Sequence, residues 1–157
     1  VCVTMFIAGS LFAAVGGTQG DARVTRALND LGFTYELDED GDYQLYYSWN
    51  DGRSQLVWVS GATEDFYHVE VREVFSYAYD ISGAMPANVA RRLLQANAGY
   101  KIGAWEMRPS GDGSTQYGIF TARIDADADA KTLKLILDAV GVTADEMEKE
   151  LLGTDEW

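Results

Sequence analysis

The sequence contains one cysteine and one histidine in 157 residues. Cys2 has no partner for an intrachain disulfide, and no thiolate metal site can be assembled around it. His68 is the single imidazole, so a two-histidine metal site or a zinc ligand set is excluded. No Ser or Cys constellation of the kind nucleophilic catalysis needs accompanies it. Positive charge is also scarce: 12 basic side chains face 25 acidic ones, a formal net charge of −13. The longest basic cluster is Arg91-Arg92. Phosphate backbones are held by clustered Lys and Arg, so duplex nucleic acid is not a partner, and neither is an anionic membrane surface. A basic or neutral protein surface stays compatible, and the acidity alone also serves solubility. Gly16-Gly17 and Gly111-Asp112-Gly113 do not fit a phosphate loop.

Residues 1–17 carry no charge at all. Three readings fit them. They are the apolar region of a secretory signal, with Ala14, Gly16 and Gly17 near a cleavage point; a short membrane anchor, at the low end of the length for a span; or a buried element of the domain. No Lys or Arg precedes the run, as a signal would require. Residues 1–20 are taken as a signal peptide or anchor remnant, and 21–157 as a single domain. A hydrophobic fraction of 47% with 24% charged residues suffices for a core without covalent staples.

From residue 21 the pattern is dense. Val24, Ala27, Leu28 and Leu31 recur at helical spacing, with Asp21 to cap the start and Gly32 to end it. Hairpins follow. Phe33 to Leu37 alternates as a strand, Asp38-Glu39-Asp40-Gly41-Asp42 supplies a turn, and Tyr43, Leu45, Tyr47 and Trp49 share one strand face. Asn50-Asp51-Gly52 turns again. Leu56 and Trp58 face one way while Val57 and Val59 face the other, which suits a central strand. Residues 66–79 alternate from Tyr67 onward, with the phase blurring at Glu73-Val74, where a bulge is expected.

Pro86 to Met107 reads as the stretch joining two halves of the chain. Pro86 opens a helix with Val89, Ala90, Leu93, Leu94 and Asn97 on its inner side, Gly99 stops it, and Lys101 to Arg108 is a strand presenting Trp105 and Met107. Asn97 is expected to hydrogen bond the helix-end carbonyls or the backbone of that strand. Gln116 to Asp125 completes a second hairpin. A helix over 127–140 ends at Gly141, and Thr143-Ala144-Asp145-Glu146 caps a further one.

This order resembles the YbjN-like family, also described as bacterial sensory transduction regulators, whose fold is shared with type III secretion chaperones. The resemblance covers roughly residues 22–152. It rests on Leu28-Asn29-Asp30-Leu31-Gly32-Phe33-Thr34-Tyr35 with Asp40-Gly41-Asp42, on Leu94-Gln95-Ala96-Asn97 with Lys101-Ile102-Gly103, and on Leu137-Asp138-Ala139-Val140. The aromatic-rich strands and the apolar N-terminus go beyond the family pattern. No catalytic residues are established for the family, so none carry over, and its chaperone-like fold implies partner binding by analogy.

Candidate chemistry is sparse. Counted from Asp38, the sixth and twelfth positions of a calcium loop fall on Tyr43 and Trp49, so the EF-hand pattern fails and a solvated turn remains. Asp125, Asp127 and Asp129 stand where a helix N-terminus favours acids. Among the 25 acids nothing singles out a catalytic pair. The aromatic residues Tyr43, Tyr47, Trp49, Trp58, Tyr67 and Trp105 are either core or, in part, a platform on an uncovered sheet face. Tyr47, Trp49, Trp58 and Trp105 are the candidate binding residues.

The expected architecture is α+β: a curved antiparallel sheet with a leading helix, a central helix and a C-terminal helical pair, as in the type III secretion chaperones. The expected function is non-enzymatic binding of a protein or peptide, chaperone-like or regulatory, with no cofactor and no metal. The alternatives are a small carboxylate-dependent hydrolase or ligand-binding enzyme, and a structural homodimer subunit. Partners are a protein or peptide, or a second copy; a membrane enters only through an uncleaved N-terminal segment. The location is periplasmic or secreted, or alternatively cytoplasmic.

Overall fold

The computed structural model describes residues 20–157. The expectations for the apolar N-terminal run, Cys2 included, lie outside these residues. The elements are α1 (Ala22–Leu31), β1 (Glu36–Leu37), β2 (Tyr43–Ser48), β3 (Ser54–Val59), β4 (Glu64–Phe66), β5 (Val69–Ser82), α2 (Ala87–Ala96), a single 3-10 turn (Asn97–Gly99), β6 (Ala104–Pro109), β7 (Thr115–Asp125) and α3 (Ala130–Leu151). The strands form one antiparallel sheet in the order β1-β2-β3-β5-β7-β6, with β4 folded back on the start of β5. The α+β class with an antiparallel sheet, a leading and a central helix is as expected.

Alternation sorts the side chains. Tyr43 and Leu45 of β2, Val57 and Val59 of β3, Val74 of β5, and Phe120 and Ala122 of β7 are buried together on one face. All three helices cover that face. Val24 and Leu28 of α1 and Leu133, Ile136, Leu137, Val140, Ala144 and Met147 of α3 complete the core. Val89 and Leu93 of α2 join it at the β7 end, where Leu93 lies against Gly118. Burial of these apolar side chains is the main source of stability, about 25 cal/mol per Å² of apolar surface.

Helix α1 begins and ends as its sequence dictates. The Asp21 Oδ1 accepts from the Arg23 N–H at 2.7 Å, and Gly32 takes the left-handed conformation at φ 71°. The same cap ties α1 to the sheet. The buried Arg72 of β5 donates to Asp21 at 2.5 Å and to the Ser60 and Gly61 carbonyls. Arg23 reaches both carboxylate oxygens of Glu70, at 2.7 and 2.8 Å. Its hydrogen bonds, with that of Arg72 adding to them, hold the Asp21 carboxyl well below the usual range against the cost of burial.

Several local readings change. The C-terminal helical pair is one continuous helix, α3. Gly141 does not stop it: the glycine is buried against the sheet, where an added Cβ would lie 3.2 Å from Val57 Cγ2. A glycine at that position lets the helix approach the sheet closely, so its role is packing. Asp145, read as part of a capping box, instead pairs with Arg53 at 2.6 Å. Tyr67 is not a strand residue but sits in the two-residue turn between β4 and β5, at φ 57° and 89% exposed, with His68 exposed beside it. The bulge falls between Tyr77 and Tyr79, further along β5 than Glu73-Val74. Leu94 is 72% exposed rather than inside. Pro86–Met107 lies toward one end of the sheet, with β6 as an edge strand, while β5 and β7 pair at its centre.

Candidate functional site

Among the described residues, no helix lies on the sheet's second face. Register places Leu56 and Trp58 of β3, Glu73, Phe75 and Tyr77 of β5, Tyr117, Ile119, Thr121 and Arg123 of β7, and Glu106 and Arg108 of β6 on it. Each strand contributes through period-2 alternation, so residues that point away from the helices gather here. The half-buried rings form a continuous band. Trp58 stacks on Phe75 at 5.7 Å and 9°; Tyr77 meets Trp58 edge-on at 5.1 Å and Tyr117 edge-on at 5.1 Å.

Beside the band lies a lattice of charges. Arg108 donates to both Glu73 oxygens and to Glu106 at 2.9 Å, and its guanidinium sits 5.8 Å from the Phe75 ring centroid. Arg123 pairs with Glu106 at 3.1 Å and with Glu73 at 3.2 Å, and the Thr121 hydroxyl donates to Glu73 at 2.6 Å. Burial pushes the Glu73 and Glu106 carboxyls up, but the hydrogen bonds from the arginines outweigh it, and both end below the usual range. Fixed as carboxylates by their arginines, they are poor proton donors near neutral pH. The lattice orders the face and sets polar ground beside the rings.

Of the four candidate binding residues, Trp58 stands on this open face. Tyr47 lies on the helix side, its hydroxyl 3.4 Å from Asp138 and its ring against Gly141; burial raises its pKa, with Asp138 adding to the effect. Trp49 follows it in a row with Phe33. Trp105 is 6% exposed between Tyr100 and Phe120, in the core. The four do not form one surface. The rings that do join Trp58 are Phe75, Tyr77 and Tyr117. In the sequence, Phe75 and Tyr77 alternate with Val74, Ser76 and Ala78, which puts the two rings on one face without telling which face the helices cover.

One carboxylate cluster stands elsewhere. Asp145, Glu148 and Asp155 bring their oxygens within 4.8 Å of one another, the one such group of potential metal ligands among the described residues. Arg53 sits on it, 2.6 Å from Asp145 and 2.9 Å from Glu148, and supplies its cation. Glu148 is fully buried, and burial raises its pKa. Its second oxygen accepts the Glu156 N–H at 2.7 Å, so the group is held by hydrogen bonds on both oxygens. The two best-defined hollows, about 10 and 80 Å³, border other residues.

The described chain is thus an α+β domain: an antiparallel sheet with helices on one face and an ordered aromatic and ionic surface on the other. The chain belongs to the YbjN family: the sequence model described as "Putative bacterial sensory transduction regulator" matches residues 21–153. No curated protein matches. Among solved structures, it is similar to the crystal structure of YbjN from E. coli, described as a putative transcription regulator, at 8% identity and a TM-score of 0.44, covering 81% of this chain and 88% of the other.

Proposed function

We propose that this chain is a non-enzymatic binding module that holds a protein or peptide segment on the open face of its sheet. The observation that carries the reading is the ordered band Trp58–Phe75–Tyr77–Tyr117 on the sheet face that no helix of the described residues covers. Rigid aromatic groups of this kind concentrate binding energy at low entropic cost. A regulatory role agrees with the family description, which names no reaction. A bacterial envelope or secreted setting belongs to the same proposal.

The test uses a photo-crosslinking amino acid placed at Tyr117, on the open face, or at Leu135, on the outer side of α3, in the full chain in cells. The open-face position should yield one dominant adduct that Leu135 does not. That partner, purified, should bind the unmodified chain, and Trp58→Ala should weaken binding by about tenfold or more while circular dichroism stays unchanged. Equal crosslinking from both faces, or binding indifferent to Trp58→Ala, would falsify the reading.

A further inference from the structure

The open face already has one occupant, and it is the chain's own tail. After α3, Gly153 turns at φ 73° and the segment Thr154–Trp157 crosses the start of β3. It is held at defined points. Arg53 donates to the Thr154 carbonyl at 2.9 Å. Asp155 accepts from the Ser54 N–H at 3.0 Å and the Ser54 hydroxyl at 3.1 Å. The Glu156 N–H binds Glu148, and the Trp157 ring stacks on Tyr77 at 5.0 Å and 22°.

The tail lands where the sheet is open. β3 pairs with β5 only at Trp58–Phe75 and Val59–Val74. Towards its start β3 leaves that ladder, and Gln55 bridges the gap by donating to Ser76 Oγ and the Tyr77 carbonyl. The Ser54 N–H is thus free of the sheet on this side and available to an incoming carboxylate. Polar donors from Arg53 and Ser54 and a ring from Tyr77 together recognise an acidic side chain followed two residues later by an aromatic one. The cis fit is incomplete: Trp157 Nε1 is buried with no acceptor. A segment that satisfied this donor would displace the tail.

We propose that the split between β3 and β5 is a binding site for an acidic–x–aromatic segment of a partner protein, and that Thr154–Trp157 is its built-in competitor. The inference rests on the open face being a binding surface and specifies what that surface takes. A tethered competitor acts at a high effective concentration, so it lowers the apparent affinity for every ligand of the same chemistry. Partners matching the motif more fully than Asp155–Trp157 gain access, and others are excluded.

The probe is the blocked peptide Gly-Thr-Asp-Glu-Trp, titrated into isotope-labelled full chain and followed by amide NMR shifts. The Asp155→Ala/Trp157→Ala chain should bind it, with shifts centred on Arg53, Ser54 and Tyr77. The unsubstituted chain should bind at least about tenfold more weakly. The control peptide Gly-Thr-Ala-Glu-Ala should move no signals. Trp157→Ala alone retains the Asp155 anchors and should fall between the two, which keeps the test open if the double variant loses its fold. A folded variant that ignores the peptide at millimolar concentration, or equal affinity with and without the tail, overturns the inference. Either result leaves the open-face reading to its own crosslinking test, because that test does not involve the tail.

Discussion

Asn97 illustrates how one side chain sets the geometry of two elements. Its Oδ1 accepts the Trp105 N–H at 2.7 Å and its Nδ2 donates to the Trp105 carbonyl at 3.3 Å. The amide thus acts as a one-residue substitute for a missing neighbour strand, pairing with the edge strand β6 from the end of α2. Trp105, fixed in this way, packs its ring on Phe120. Asn97→Ala would leave both backbone groups half-buried and unpaired, a loss of about 1–3 kcal/mol. Asn97→Asp keeps the acceptor for the N–H but sets a carboxylate against the carbonyl, and it should not recover the loss. Urea unfolding followed by circular dichroism checks both. A change below about 0.5 kcal/mol for the alanine variant would mean that water replaces the amide without cost. The sequence leaves Asn97 two partners, the helix-end carbonyls or the following strand's backbone, and the structure takes the second.

Among the elements, α3 shows where local pattern misleads. Glycine followed by a capping-box sequence ordinarily marks one helix ending and another starting. Here tertiary packing overrides that signal, since Gly141 lies directly on Val57 and Tyr47. The helix propensity lost at glycine, about 1 kcal/mol, is offset by the burial that close approach allows along the rest of α3. Gly141→Ala should therefore be nearly neutral, the gain in propensity balancing the tight contact with Val57. Gly141→Leu should lower stability by about 1–3 kcal/mol through overpacking. Thermal unfolding of the two variants decides it: a leucine variant as stable as the parent would mean the helix lifts off without penalty. The hairpins were readable because turn residues and alternation agree in them. Although 86–107 joins the two halves of the chain in sequence, it lies at the sheet's edge in space: β6 is an edge strand, whereas β5 and β7 pair at the centre. The candidate site was legible only at Trp58. Alternation tells that a residue changes face, but not which face the helices will cover, and the contact of Trp157 with Tyr77 depends on a tail with no pattern at all.

For the whole molecule, the distribution of charge makes stability depend on pH in two opposing ways. Arginine hydrogen bonds lower the carboxyl pKa at Asp21, Glu73, Glu106 and Glu150, and take Glu70 to about 2. A group lowered on folding contributes stability that is present above its unfolded value, near 4.5 for glutamate, and is lost as pH falls through the folded value. Glu148 has the opposite sign. Burial raises its pKa, so its protonated form favours the fold, and that contribution fades as pH rises through the folded value. Repulsion from the net charge of −13 at pH 7 also eases as acids begin to protonate. As pH falls from 7, relief of repulsion and protonation of Glu148 act in the same direction while the arginine-paired carboxylates remain ionised. The melting temperature should therefore hold or rise slightly at first, then fall steeply from about pH 4 towards 2 as those carboxylates take up protons. Glu148→Gln should flatten the rise and leave the acid limb in place, because it removes the one carboxyl that folding raises without touching the pairs of Arg23, Arg72 and Arg108. Thermal melts of the parent and this variant across the range give the answer, and a parent that keeps gaining stability down to pH 3 would show that repulsion, and not the paired carboxylates, governs the molecule.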